Sequence, residues 1–362
     1  MRIIFAVLSL LLVFPPTTAL AVPDQTNTYY QVMWKGDIKL DLIKSLNPKY
    51  VWNTTQGGYV LTPQDIAQIK SVAPDTKIIL YRHSADMFNP KKLDQSLPAL
   101  EGLLNMNTQS EIDDLLKNHQ DAFLRNEKGR YVGLAKGIGG DPQVLDETFW
   151  MLPTNRYYQE FLFNRIKYHL TTQKFDGVYF DLMYPVAPGS YMDSDPAVKT
   201  TKPPYRGWQD WMIDLSQYLD RQLANDPTLK NKILITNSVG EDPSYFFAAE
   251  GLAYNRDLGT KAIQIENYFD RYPPMLEGWS SQVQAISQLT SLNNRSMGGW
   301  FNFHPADNFP NKESCDKMAT FSYSSFLLAN NSPDFAYSFL CKVGSNKDRY
   351  FPSHWLTKIS LG

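Results

Sequence analysis

Phe175-Asp176-Gly177-Val178-Tyr179-Phe180-Asp181-Leu182-Met183-Tyr184-Pro185 reads as a short buried strand, Gly177 to Leu182, that ends on a carboxylate. Aspartate is a poor strand residue and is costly to bury without partners. At the C-terminal end of a buried strand it sits where α/β barrels keep their chemistry. The same position also suits an aspartate that merely caps a loop or the next helix. Asp176 precedes the strand. A five-residue strand separates the two carboxylates by roughly 16 Å. They are therefore no catalytic pair, and Asp176 reads as a stabilising residue at the opposite end.

Outward from this stretch, β-branched and aromatic runs recur at Tyr30–Trp34, Tyr50–Asn53, Lys77–Tyr81, Lys232–Thr236, Ala262–Glu266, Gly298–Phe303 and Phe335–Phe339. Helical patterns separate most of them. Pro63 to Val72 follows Thr62, an N-cap residue with proline at the first helical position. Asn155 to Thr171, Trp208 to Leu223, Trp279 to Leu292 and Lys317 to Leu328 carry apolar stripes at helical spacing. Alternating strands and helices imply parallel pairing, and eight strands imply an α/β fold, a (β/α)8 TIM barrel. An open doubly wound sheet is the alternative, but no Gly-rich phosphate loop follows the first strand. The reading is one domain, residues 22–362, with a long insertion between strands three and four. The insertion runs from His83 to Asp176. It holds a hairpin pattern over Phe123–Val132 and a glycine-rich loop over Gly137–Gly140.

Met1-Arg2, the apolar run Ile3–Phe14 and the Ala19-Leu20-Ala21 ending read as a secretory signal peptide over residues 1–21. The alternative, an uncleaved anchor, needs a longer apolar run than this one. No later segment has the length and apolarity of a span, so no membrane contact is expected after cleavage. The expected location is secreted, extracellular or periplasmic. A formal charge of −2 and a pI near 6.2 argue against nucleic acid. The only cysteines, Cys315 and Cys341, suggest a disulfide in an oxidising compartment. Closing that loop contributes on the order of 3 kcal/mol; the alternative is two buried thiols. Asn53, Asn294 and Asn330 each open a glycosylation pattern. Aromatics form 14% of the chain, a surplus that suits flat ligands such as sugars as well as a core. Nothing in the sequence fixes the oligomeric state.

The strand assignment brings two carboxylates to the barrel mouth, Asp181 and Glu266, on strands four and six. Glycoside hydrolysis needs such a pair. One protonates the leaving oxygen, and the other attacks the sugar carbon or activates water. Trp34, Trp52, Asn53, Arg82, His83, Tyr184, Asn237, Trp300 and His304 end or follow strands and are candidates for substrate binding. Each has a plainer reading: the tryptophans plug the barrel, Arg82 and His83 pair structurally, and Asn237 ends a strand. No cofactor or metal is called for. The chain has no His-Glu-x-x-His, no Gly-x-Ser-x-Gly elbow, no dinucleotide fingerprint and no P-loop.

Several blocks carry a family resemblance: Leu124-Arg-Asn-Glu-Lys-Gly-Arg130, the helix opening at Asn155-Arg-Tyr-Tyr158, Phe175 to Asp181, Ile265-Glu-Asn-Tyr268 and Ser325-Phe-Leu-Leu-Ala-Asn330. Together they resemble the glycosyl hydrolase-like TIM barrels, above all hypothetical glycosyl hydrolase family 15. More distantly they resemble the endo-polygalactosaminidase and α-galactosidase type barrels. In the α-galactosidase type the nucleophile ends strand four and the acid/base ends strand six. That would give these roles to Asp181 and Glu266, although strand six there carries Asp rather than Glu. The expectation is an exported glycosidase acting on an oligo- or polysaccharide. Two alternatives remain: an inactive carbohydrate-binding or host-interaction barrel, and a metal-dependent hydrolase using Asp181, Glu266 and His83.

Overall fold

The structure, a computed structural model, describes residues 29–32, 35–54, 59–88, 108–125, 131–132, 148–184, 205–238, 249–259, 262–266, 279–280, 283–284, 286–288, 298–303, 309–330, 335–339, 341–343 and 348–350. In chain order the elements are β1 (Tyr29–Val32), α1 (Leu40–Leu46), β2 (Tyr50–Asn53), α2 (Pro63–Val72), β3 (Lys77–His83), β4 (Asp86–Phe88) and α3 (Gln109–Asn118). Then come β5 (Thr148–Trp150), α4 (Arg156–Tyr168), β6 (Gly177–Asp181), α5 (Tyr205–Asn225), β7 (Ile233–Asn237), α6 (Ala249–Leu258) and β8 (Ala262–Glu266). The last are β9 (Gly298–Phe303), α7 (Lys312–Ala329), β10 (Phe335–Phe339), β11 (Cys341–Val343) and β12 (Asp348–Tyr350). The eight strands expected from the sequence are the eight strands of one sheet, in the order β1-β2-β3-β6-β7-β8-β9-β10, and every pairing is parallel. The sheet is curled, so that its end strands β1 and β10 come into contact.

Strand alternation divides the core in two. Tyr30, Val32, Val51, Ile78, Leu80, Val178, Phe180 and Leu234 point to the convex face, where they meet apolar residues of α2 to α5. Ile263, Phe335, Tyr337 and Phe339 do the same against α7. The concave face is filled by Tyr29, Tyr50, Trp52, Ile79, Tyr81, Tyr179 and Ile235, with the small Ala262 and Ala336 opposite. Large rings from β1 to β6 thus occupy the room left by small residues on β8 and β10.

Local chemistry sets the helix starts. The Thr62 hydroxyl accepts the Asp65 N–H, and the Asp65 carboxylate accepts the Thr62 N–H, a reciprocal cap at the start of α2. Thr108 and Glu111 repeat it for α3. Asn155 caps α4, and Asn311 caps α7. Sequence reading places neither α1, α3 nor α6. It also misses the three-residue strands: β4 pairs antiparallel with β5, and β11 with β12. The expected hairpin at Phe123–Val132 is present in part as an Arg125–Tyr131 bridge. Residues 137–140 and 1–28 lie outside the described residues. Only parts of the expected Trp279–Leu292 helix are described. Cys315 and Cys341 form a disulfide between α7 and β11. Among the described residues no helix is long and apolar enough to cross a membrane.

At the start of β6 the neighbouring strand comes very close. A Cβ on Gly177 would lie 2.5 Å from the Ile233 carbonyl oxygen and 3.0 Å from Ile79 Cδ1. Only glycine lets β7 come this close. Just before it, Asp176 accepts the Ile78 N–H at 2.9 Å and pairs with Lys70 at 2.7 Å, fastening β6 to β3 and α2. Gly177→Ala is expected to lower the urea unfolding free energy by about 1–3 kcal/mol. An unchanged urea midpoint would show that the strands are not pinned here.

Candidate active site

Asp181 is the last residue of β6 and lies on the concave face, in register with His83 of β3. Its carboxylate is ringed by donors. Tyr81 Oη donates to Oδ2 at 2.6 Å; Asn237 Nδ2 donates to Oδ1 at 2.9 Å; the Leu182 N–H donates to Oδ1 at 2.8 Å. A carboxylate without a proton satisfies this set, since all three partners give hydrogen. The Leu182 contact needs an unusual backbone. Leu182 has φ +60°, in the left-handed region that costs an ordinary residue roughly 1–2 kcal/mol. Strain of this kind, next to a carboxylate at a strand end, is a common companion of function.

Behind Asp181 runs a chain of polar groups. His83 Nε2 is 2.9 Å from Tyr81 Oη, and His83 Nδ1 is 2.7 and 2.9 Å from the two oxygens of Asp86. Asp86 is buried on β4, and His83 is 14% exposed. Burial alone would push the His83 pKa down, but the Asp86 carboxylate and, further off, Asp181 carry it above its ordinary value. On the other side, Asn237 also donates to Tyr184 Oη at 3.3 Å. Tyr184 is held by its carbonyl, which accepts the Trp208 indole N–H at 3.0 Å. Gln264 pairs in register with Asn237. It is fully buried, and its side-chain amide has no partner among the described residues.

Glu266, described through its backbone, ends β8 two residues beyond Gln264 and pairs in register with Asn302. It therefore shares the alternation of Asn237 and Asp181, two strands along the sheet. Trp300, also described through its backbone, pairs with Gln264 and Ala336. Trp34 and His304 lie outside the described residues.

Three candidates stand elsewhere than a binding role requires. Asn53 faces away from the concave side. Its amide donates to the Val32 and Tyr59 carbonyls and accepts the Leu61 N–H, so it ties β2 to β1 and to the approach of α2. That burial also denies a glycan the room it would need on this asparagine. Arg82 alternates with Tyr81 and His83 and falls on the convex face, where burial brings its pKa down to about 10; its charged neighbours include Arg165, Glu111 and Asp86. Trp52 is on the concave face but 4% exposed. Its ring packs 5.2 Å from Tyr179, 6.0 Å from Tyr81 and 6.1 Å from Tyr29, as a plug rather than an open platform. Sequence reading missed Tyr81 and Asp86. Tyr81 looked like strand body, and Asp86 lies beyond the strand end.

A family profile matches residues 70–356, most of the chain, and its description is hypothetical glycosyl hydrolase family 15. The chain belongs to this family. No curated protein sequence matches it. Among solved structures, the glycoside hydrolase domain of PelA from Pseudomonas aeruginosa is 11% identical, with TM-score 0.49, over 90% of this chain and 97% of that one. Isomaltulose synthase from Erwinia rhapontici NX5 is 12% identical, with TM-score 0.50, over 86% of this chain and 64% of that one. A cycloisomaltooligosaccharide glucanotransferase from Paenibacillus sp. is 9% identical, also at 0.50, over 80% of this chain and 39% of that one. The last two share the fold with this member of the family.

The raised His83 pKa has a consequence for stability. Protonated His83 contributes stability that is complete below about pH 6.5 and fades as pH climbs through its higher folded-state value. His83→Gln should therefore lower the melting temperature more in mild acid than in mild alkali. An equal loss at both ends would contradict the Asp86–His83 pairing.

Proposed function

We propose that this protein is an exported glycosidase that cleaves an oligo- or polysaccharide with Asp181 and Glu266. The observation that carries the reading is Asp181 itself: a carboxylate at the concave end of a parallel strand, held by three donors, in a chain of a glycosyl hydrolase family. The neighbours described as an isomaltulose synthase and a cycloisomaltooligosaccharide glucanotransferase fit the same carbohydrate setting. The reading takes the curled sheet as a (β/α)8 barrel and the long segment between β3 and β6 as a wall of its cleft. The leader-like N-terminus supplies the export.

In this scheme Asp181 is the nucleophile, or the base that activates water. Its donors hold the attacking oxygen in place. Glu266 protonates the leaving oxygen. Asn237, between them on β7, already donates to Asp181, and Tyr184 stands beside it. Carboxyl groups about 5 Å apart give retention, and about 6.5–9.5 Å gives inversion.

Asp181→Asn and Glu266→Gln are expected to reduce release of reducing ends from a panel of soluble polysaccharides by at least about 100-fold, while both variants keep their fold. Undiminished activity of either variant would remove that residue from the mechanism. A wild-type protein that binds glycans and turns none over would favour the inactive binding barrel.

A further inference from the structure

Asp181 and His83 compete for the single proton of the Tyr81 hydroxyl. Asp181 Oδ2 lies at 2.6 Å and His83 Nε2 at 2.9 Å. Which one receives the proton depends on His83. Its Nδ1 faces both oxygens of Asp86, so the Nδ1 hydrogen is committed there. A neutral His83 of this tautomer has a lone pair on Nε2, and that lone pair draws the Tyr81 proton away from Asp181. An imidazolium has a hydrogen on Nε2 and donates it to the Tyr81 oxygen. The Tyr81 proton is then turned toward Asp181.

We infer that Asp86, His83 and Tyr81 form a positioning relay in which the charge of His83 decides whether the Tyr81 hydroxyl serves Asp181. This rests on the glycosidase reading and names a control on the same site. No proton is consumed. With His83 charged, the hydrogen bonds run from His83 to Asp86, from His83 to Tyr81 and from Tyr81 to Asp181. Loss of the Nε2 proton to solvent leaves Tyr81 shared between two acceptors and loosens its hold on the carboxylate.

The setting favours the charged form. Asp86 on β4 and Asp181 on β6 both stabilise an imidazolium, while burial and Arg82, on the same strand as His83, oppose it. Asp86 is out of water, so its attraction is little screened. Tyr81 is 1% exposed and its ring packs against Trp52 and Tyr179, which keeps its hydroxyl on this line. Both Tyr81 and His83 stand on β3 with Tyr81 one alternation below His83, so the register that pairs His83 with Asp181 also aims the hydroxyl.

The test follows the His83 ring by NMR across pH in the full chain, alongside kcat/KM for polysaccharide hydrolysis. Asp86→Asn is expected to lower the His83 midpoint by at least about one pH unit, and to move the alkaline limb of kcat/KM down with it. Asp181→Asn should also lower the midpoint, by less. Tyr81→Phe should reduce kcat with a smaller change in KM and erase the His83 limb. A His83 midpoint unmoved by both Asp86→Asn and Asp181→Asn in folded protein overturns the relay, even if Asp181 proves essential for hydrolysis. Coupled midpoints in a chain that hydrolyses nothing would keep the relay and overturn the glycosidase reading. A His83 midpoint that shifts while the alkaline limb of an active enzyme stays fixed would overturn the control.

Discussion

The register between β3, β6 and β7 is the constraint on which the site depends. Gly177 lets the β7 backbone approach to a distance that no side chain allows, and Asp176 fastens the same end of β6 to the Ile78 amide and to Lys70. With that end fixed, alternation does the rest. Tyr179 and Asp181 point into the concave face beside Tyr81 and His83, while Val178 and Phe180 enter the convex core. A slip of one residue would exchange the two sets and turn Asp181 toward the helices. The two aspartates of the motif thus have separate tasks. One sets the register, and the other uses it.

The concave face is built to be filled at one level and polar at the next. Below Asp181 the rings of Trp52, Tyr81 and Tyr179 pack against one another and exclude water. Above them the strands end in Asp181, His83, Asn237 and Glu266. Tyr81 links the levels, because its ring belongs to the plug and its hydroxyl to the site. Hydrogen bonds made against a dry aromatic floor are stronger than the same bonds in water, and an unpaired group there is costly. This explains why Asp181 draws three donors and why a leucine tolerates a left-handed backbone next to it.

Much of the architecture was legible because buried parallel strands read as short aromatic and β-branched runs. Tyr50–Asn53, Ala262–Glu266, Gly298–Phe303 and Phe335–Phe339 match the structure to the residue. The three-residue strands β4, β5, β11 and β12 are too short to carry a period. The helix at Gln109–Asn118 did carry a legible start, Thr108 with Glu111 three residues on, but its acidic face hides the apolar stripe. Within the site, Asp181 could be found because a carboxylate ending a buried strand is conspicuous. Asn53 and Arg82 were misplaced because nearness to a strand end says nothing of the face. Alternation from Trp52 and Tyr81 puts each of them on the convex side. The Asp86–His83 and Tyr81–Asp181 contacts could not be read from sequence, since the first arises only when the chain turns back after β3 and the second only when β6 comes alongside.

The central claim is that two carboxylates work together above this aromatic floor. The most direct measurement is the distance between the carboxyl groups of Asp181 and Glu266 in a crystal structure with an oligosaccharide bound to the concave face. The account predicts a separation within about 5–9.5 Å, with the glycosidic oxygen between them. Carboxyl groups that lie outside that range, or a sugar seated away from Asp181, would contradict it.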